Sequence, residues 1–313
     1  MTPSPASPRP GDKQDRLKLL RVRLARLDTG LGAIAALALA LYLAFLIMPV
    51  LLSLKTSFTN QNILFPNSSF VGLANYRQML HDTALRASVE FTLDLAVTVT
   101  VAANAAGLCF AVLLNRTHLS YRVLRTLAFL PQVISGIIAG FVWSWMLSPT
   151  GLVNHVLTGV GVIGQPVNWL GTPQLAQLSA AVVVSWVLTG FTTVVYLAAL
   201  QNIPRELYEA CSIDGANGFQ QFRMVTLRMV APATTISVVI SLITVLKLYD
   251  IITALTGGGP AFATQSIAMY IISVGFSNDA YGYASALAMV LLALTAVLAL
   301  SVTTVLRRRE VDL

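Results

Sequence analysis

Apolar residues fill this chain in long uninterrupted runs, and charged residues fall between them. Residues 30–54 carry no Asp, Glu, Lys or Arg over 25 positions, and a helix needs about 20 apolar residues to cross the hydrocarbon core of a bilayer. The first span is taken as 30–52. Five further runs have the length and continuity of spans: 88–114 (strictly uncharged over 95–115), 126–147, 175–200, 229–248 and 283–306. No charged side chain occurs between Arg125 and Arg205, a stretch that holds two of these spans and the loop joining them. The pattern predicts an all-α membrane protein of six transmembrane helices. A shorter apolar stretch, 266–276, falls below the roughly 17 residues a span requires. It reads as a membrane-edge or partly buried segment of an outer loop. No internal repeat is evident. One transmembrane domain, 29–306, is therefore expected between a disordered, basic segment (1–28) and a short tail (307–313).

Composition agrees. The 313 residues are 56% hydrophobic and 11% charged, against about 25% charged in soluble domains. The net charge of +7 does not point to nucleic acid, because the basic residues flank the apolar runs instead of forming one patch. The N-terminus opens with Pro3, Pro5, Pro8 and Pro10, then Arg16, Lys18, Arg21, Arg23 and Arg26. The apolar run that follows is longer than the 7–15 residues or so of a cleaved signal, so it reads as a retained first helix. With six spans, 16 of the 20 Lys and Arg fall on one side. These include Arg116, Arg122, Arg125, Arg205, Arg223, Arg228 and the Arg307, Arg308, Arg309 cluster. The opposite side receives Lys55, Arg77 and Arg86, and Lys247 ends the fifth span. Positive charge marks the cytoplasmic side, so both termini are expected inside, with the juxtamembrane arginines near the bilayer surface. Cys109 and Cys211 read as small packing residues, with no disulfide and no metal spacing.

The cytoplasmic segment 201–228 between spans four and five is the most structured of the loops. Pro204 suits the first turn of a helix, with Asn202 available as a cap. Glu206 and Glu209 follow where the helix dipole favours them. Gly215 can end the helix in a left-handed conformation, and a second short helix over about 219–227 leads into the fifth span. Leu207, Ala210 and Cys211 lie near one face, small enough for another protein to approach closely, with the two glutamates ready to meet basic residues on it. An ordinary solvated loop fits the same physics.

Specific residues in this loop resemble the EAA loop of carbohydrate-type ABC importer permeases, the binding-protein-dependent transport inner-membrane components. They are Glu209-Ala210-Cys211, Asp214-Gly215-Ala216, Phe222 and Val225-Thr226-Leu227, with Leu200-Gln201-Asn202-Ile203-Pro204 upstream. Three other stretches are similar to the family: Gly72-Leu73-Ala74-Asn75-Tyr76, Leu255-Thr256-Gly257-Gly258-Gly259-Pro260, and Gly282-Tyr283-Ala284-Ser285-Ala286. The likeness runs from about residue 30 to 309. Cys211 replaces the family's second Ala, and Arg228 stands where a Pro is usual, which points to a smoother entry into the fifth span.

The resemblance implies a type I ABC importer permease in the inner (cytoplasmic) membrane of a prokaryote. Its implied partners are a second, homologous permease, two copies of an ABC ATPase and an extracytoplasmic solute-binding protein. Glu206, Glu209, Ala210, Cys211, Asp214, Gly215, Ala216 and Phe222 would couple to the ATPase. The solute would be an oligosaccharide, disaccharide, polyol or glycerol phosphate derivative, imported by alternating access. The chain has no Gly-x-x-x-x-Gly-Lys-Ser/Thr, so ATP and Mg2+ would belong to the partner ATPase, this chain would hold no cofactor or metal, and it would not itself be an enzyme.

Ionisable groups at membrane depth are candidates for the transport path. Glu90 and Asp94 lie one turn apart, and Lys247 and Asp250 three residues apart. Either a polar lining for sugar hydroxyls, joined by Asn104 and Tyr249, or interfacial anchoring and an ion pair fits these spacings. Gly136 and Gly140 favour close helix packing, the four Trp read as interface anchors or core, and loop 147–174 could face the solute-binding protein. A membrane enzyme finds no support: His81, His118 and His155 are scattered, with no His-Glu-x-x-His or Gly-x-Ser-x-Gly. A stand-alone channel or secondary transporter is the other class, disfavoured by the few intramembrane charges and the lack of an inverted repeat.

Overall fold

The computed structural model describes residues 34–62, 68–116 and 118–308. The basic segment 1–28, the start of the first span and Arg309 with the residues after it lie outside the described residues. Helix α1, Ile34–Thr56, includes a π turn over Leu43–Ile47. The chain divides into two units, residues 1–55 and 56–313. In the first, exposed apolar side chains such as Leu39, Phe45 and Leu51 surround the helix, a pattern suited to lipid rather than water.

In the larger unit the chain forms α2 (Ala74–Met79), α3 (Thr83–Leu114), α4 (Leu119–Val133), α5 (Gly136–Met146) and α6 (Leu152–Gly159). There follow α7 (Pro173–Gln201), α8 (Arg205–Ile213), α9 (Gly218–Met229) and α10 (Ala231–Leu246). The last three are α11 (Asp250–Leu255), α12 (Ile267–Ser277) and α13 (Tyr281–Arg307). No strand occurs among the described residues; a lone antiparallel bridge joins Thr59 and Phe70. Four helices (α1, α3, α7, α13) are long and apolar enough to span, and the bent pairs α4–α5 and α9–α10 bring the total to as many as six.

The bent pair α4–α5 differs from the straight helix expected over 126–147, whereas α9 and α10 are the short helix and the fifth span expected over about 219–227 and 229–248. Between α4 and α5 the axis turns by 98°. Pro131 sits inside α4, where its ring removes one backbone bond and crowds the carbonyl four residues earlier. Ile134 and Ser135 then run extended before Gly136 restarts the helix. Between α9 and α10 the turn is 63°. The expectation that Arg228 smooths this entry is overturned, because Pro232 stands in the first turn of α10 and cannot donate back to the carbonyl of residue 228.

The core is a seam between α3 and α7. Ala96, Val99 and Ala103 on one helix and Ala180, Val183 and Val184 on the other are buried. Helices do not associate in lipid by hydrophobic force, so close packing and hydrogen bonds must hold them. Gly107 lies so close to Thr192 that a Cβ there would collide with its side chain and with the backbone of Thr193. Thr192 Oγ1 donates to the carbonyl of Ala103 at 2.7 Å, and Tyr196 Oη donates to Asn104 Oδ1 at 3.0 Å. Gly140 performs a similar service for α5, since a Cβ would come within 2.6 Å of Ala254 Cβ on α11. Gly136 and Gly140 are thus packing positions.

One end of the unit is stitched by the motifs outside the 201–228 loop. Asn75 Nδ2 donates to the carbonyls of Ser57 and Thr59, and Tyr76 Oη bonds Ser57 Oγ. Gly282 lies against the carbonyl of Thr59, too close for any side chain. Asp82 caps α3 at Leu85 N and accepts 2.6 Å hydrogen bonds from Tyr270 on α12 and Tyr283 on α13. Burial alone would raise the Asp82 pKa, but those hydrogen bonds and the backbone N–H groups of Leu85 and Ala84 outweigh it and hold the carboxyl below its usual value.

The apolar stretch 266–276 is the partly buried segment expected. Its helix α12 is capped by Ser266, whose Oγ also donates to the Leu248 carbonyl at 2.6 Å, while Ile267 N donates to Thr92 Oγ1 at 3.0 Å. Loop 147–174 is organised by one side chain, Asn154. It donates to Ser148, Pro149 and Val167 carbonyls and accepts from Val167 N and Trp169 Nε1. Trp143 and Trp186 pack edge to face at 5.4 Å, and Trp145 is exposed.

Candidate functional site

The 201–228 segment forms the helix, turn and helix that its sequence predicts. Asn202 is not the cap of α8: it ends α7, donating back to Ala199, and Pro204 occupies the N-cap position without a side-chain hydrogen bond. Gly215 ends α8 at φ +78°. Its N–H donates to the Ser212 carbonyl at 3.1 Å and that of Ala216 to Cys211 at 3.0 Å, the paired bonds of a Schellman turn. Asn217 then starts α9 with a reciprocal capping box to Gln220. From the far side Gln221 Nε2 donates to Ser212 Oγ and to the Ala216 carbonyl, and Tyr208 Oη bonds Thr226 Oγ1 at 2.9 Å. The turn is therefore held from both helices.

These bonds fix which face of α8 looks outward. Tyr208 and Cys211 pack inward against the buried cluster that includes Leu197, Leu200 and Val225, so Cys211 is not part of an outward small-residue face with Ala210. Its outward neighbours are Glu206, Glu209, Ala210 and Ile213, all exposed, with Ile213 at 86%. Their spacing i, i+3, i+4, i+7 makes one stripe. Neither glutamate forms a hydrogen bond or ion pair among the described residues. Asp214 is exposed beside this stripe, Ala216 is half-buried in the turn, and Phe222 lines a hollow against Leu108, Cys109 and Val112 of α3. Ile213 and the 73% exposed Phe219 were missed from the sequence, although counting three, four and seven on from Glu206 reaches Ile213.

The residues proposed for a path separate. Asn104 is 7% exposed and its amide is used within the chain, by the Thr100 carbonyl and Tyr196 Oη. Lys247 and Tyr249 lie in the gap between α10 and α11, and Asp250 is the first residue of α11. Lys247 and Asp250 do not form the ion pair their spacing allowed; among the described residues the pair is Arg86–Glu90 at 2.9 Å, largely exposed. The half-buried Asp250 carboxylate instead lies against Gly136, so the gap before α11 meets the break before α5. Irregular backbone at membrane depth is tolerated where it is buried in protein or lines a cavity.

Several long apolar helices, with the helical hairpin 201–228 joining two of them, define a multi-span membrane protein. The comparisons with known proteins agree, and the chain belongs to the family described as the binding-protein-dependent transport system inner membrane component, which residues 103–311 match. The trehalose/maltose transport system permease protein MalF of Thermococcus litoralis is 36% identical over 268 residues, covering 85% of this chain and 88% of that protein. The probable starch degradation products transport system permease protein AmyD of Thermoanaerobacterium thermosulfurigenes is 33% identical over 280 residues, covering 90% and 94%. A permease chain from a bacterial ABC transporter involved in import of the acidic polysaccharide alginate superimposes with a TM-score of 0.79. It is 24% identical and covers 91% of this chain and 98% of its own.

Proposed function

We propose that this chain is the permease subunit of an ATP-driven importer for a carbohydrate or related solute, that it forms half of the translocation path with a second permease, and that α8 docks in an ATPase. The observation that carries the docking role is the exposed stripe Glu206, Glu209, Ala210 and Ile213 on a helix pinned from behind. A short helix in water keeps such a geometry only when tertiary bonds hold it, and its unpaired acids and exposed Ile suit a partner with basic and apolar groups. The relatives' names, trehalose/maltose and starch products, support a sugar as cargo.

In this reading the 201–228 loop lies on the cytoplasmic side with both termini, as the placement of Lys and Arg favours. A solute-binding protein delivers the solute at the opposite face of the cell membrane. Two ATPase subunits hold ATP and Mg2+, and their closure drives alternating access through α8. Lys247, Tyr249 and Asp250 contribute polar groups where the gap before α11 meets the break before α5, and Asn104 belongs to the wall elsewhere, beside Tyr196.

The test is affinity purification of the tagged chain from its own membranes, with the substitution Ala210→Trp in parallel. The expected wild-type result is co-purification of an ATPase and a second permease. Ala210→Trp should lose the ATPase and keep the permease. Solute uptake by the isolated chain without ATP, or equal ATPase retention by both forms, would overturn the proposal.

A further inference from the structure

At the base of the α8 hairpin a cavity of about 490 Å³ is lined by Arg116, Arg122, Arg125 and Arg205, with Asn115, Gln201 and Tyr208 among the remaining walls. No carboxylate lines it. The four cations are not equivalent. Arg125 is committed to the chain: its Nε and Nη2 donate to the Leu114 carbonyl at 3.0 and 2.8 Å, and Nη2 also reaches the Arg116 carbonyl at 2.7 Å. It thereby caps the end of α3. Arg116 leans on Tyr121, by a 3.2 Å hydrogen bond and over the ring. Arg122 and Arg205 are exposed, and their guanidinium groups have no hydrogen bond or ion pair among the described residues. Arg205 is moreover the first residue of α8, where the helix dipole disfavours a cation.

Like charges gathered around a hollow repel one another, so the cavity is built for an anion. Guanidinium groups match phosphate oxygens in geometry as well as charge. The location chooses the source of the phosphate. The cavity lies where α3 and α7 end, the depth at which spanning helices meet lipid headgroups. From its rim α4 runs away with Leu119, Val123 and Leu127 exposed on one side, so acyl chains have an apolar surface beside the cations. Basic pockets between helices on the cytoplasmic side hold anionic headgroups by the same chemistry.

We infer that this cavity binds the phosphate headgroup of an anionic phospholipid, held chiefly by Arg122 and Arg205. Because Arg205 and Tyr208 belong to α8, the lipid is a structural neighbour of the docking helix and steadies it. The placement in the inner leaflet and the link to ATPase activity rest on the function proposed above.

Native mass spectrometry of the purified assembly, after equilibration with vesicles of phosphatidylcholine mixed with phosphatidylglycerol, reads the binding directly. Wild type should retain phosphatidylglycerol over phosphatidylcholine. Arg122→Gln with Arg205→Gln should lower that retention by roughly thirtyfold, which corresponds to about 2 kcal/mol for the two arginines at a tenfold change per 1.4 kcal/mol or so. The paired Lys substitutions, which keep the charge, should preserve most of it and show that the assembly is intact. Equal retention by the Gln form, no preference in wild type, or full displacement of the lipid by inorganic phosphate would each overturn the lipid site. A second reading is solute-stimulated ATPase in vesicles with and without phosphatidylglycerol. Wild type should respond to the lipid and the Gln form should not; an equal response in both would overturn the steadying of α8. The mass measurement needs no ATPase activity, so failure of the lipid site is separable from failure of the functional proposal, which would appear as an assembly without an ATPase.

Discussion

Replacing Gly215 isolates backbone conformation from every other property of the α8–α9 turn. A Cβ added at Gly215 meets nothing within 4 Å, so Gly215→Ala creates no collision. What remains is φ at +78°, a left-handed conformation that costs an L-residue about 1–2 kcal/mol. Ala also restricts the unfolded chain, returning about 0.4–1 kcal/mol, so the net loss is about 1 kcal/mol. Gly215→Pro is a different perturbation. Its φ is fixed near −65°, and it deletes the N–H that donates to Ser212 at 3.1 Å. It also follows Asp214 at ψ 3°, a conformation disfavoured before proline. The combined loss is at least about 3 kcal/mol, enough to reposition α9 relative to α8. Gly215→Asn tolerates the left-handed region and should be nearly silent. The assay is solute-stimulated ATPase of the purified assembly, with ATPase retention measured alongside. Activity should rank Gly, Asn, Ala and Pro in falling order, with Pro near the unstimulated rate. Unchanged assembly and unchanged stimulation for Gly215→Pro would refute the coupling role, and equal losses for Ala, Asn and Pro would refute the backbone argument.

Other sites give independent tests. Gly107→Leu should separate α3 from α7 and abolish accumulation of folded protein in the membrane, read by fluorescence-detected size exclusion, because Thr192 leaves no room for a side chain. Thr192→Val keeps the shape and removes the bond to Ala103, so thermal stability in detergent should fall only by about 0.6 kcal/mol, a typical value inside membranes. Asp82→Asn should loosen the α3, α12 and α13 junction, lowering Tm at neutral pH. The Asp82 carboxyl is depressed in the folded chain, so its contribution is complete above the unfolded value of about 3.9 and is lost as pH falls through the lower folded value. The Tm difference between wild type and Asp82→Asn should therefore be constant down to about pH 5 and shrink below pH 4; a difference that vanishes near pH 7 would refute this assignment.

The sequence carried the spans because lipid imposes length and polarity on each helix separately, and those can be counted residue by residue. The ends of α3, α7 and α13 fell within a few residues of their apolar runs, and Gly215 was legible because a left-handed helix end needs a glycine. Less visible was anything decided by a neighbour. Pro131 and Pro232 were both in plain sight, but a proline inside an apolar run is compatible with a mild kink or a 98° turn, and only the docking of Gly136 and Gly140 on α11 distinguishes them. Asn104 looked like a path residue because polar side chains at membrane depth often are. What the sequence could not show is its partner, Tyr196, 92 positions away in the chain. Cys211 and Ala210 are interchangeable in size, and which of them turns outward is set by the Tyr208–Thr226 bond.

The tight seam between α3 and α7 also has a mechanical meaning. Gly107 and Thr192 interlock near the end where α7 passes through Asn202 and Pro204 into α8. The 29 residues of α7 make a rod about 43 Å long. A tilt of about 5° about the Thr192 contact would carry the Pro173 end, about 28 Å away, through about 2.5 Å. Under the function proposed above, such a lever, with its short arm at α8 and its long arm at the far end of α7, needs no flexible relay, and stiffness at the fulcrum, rather than mobility along the path, sets how faithfully one end hears the other.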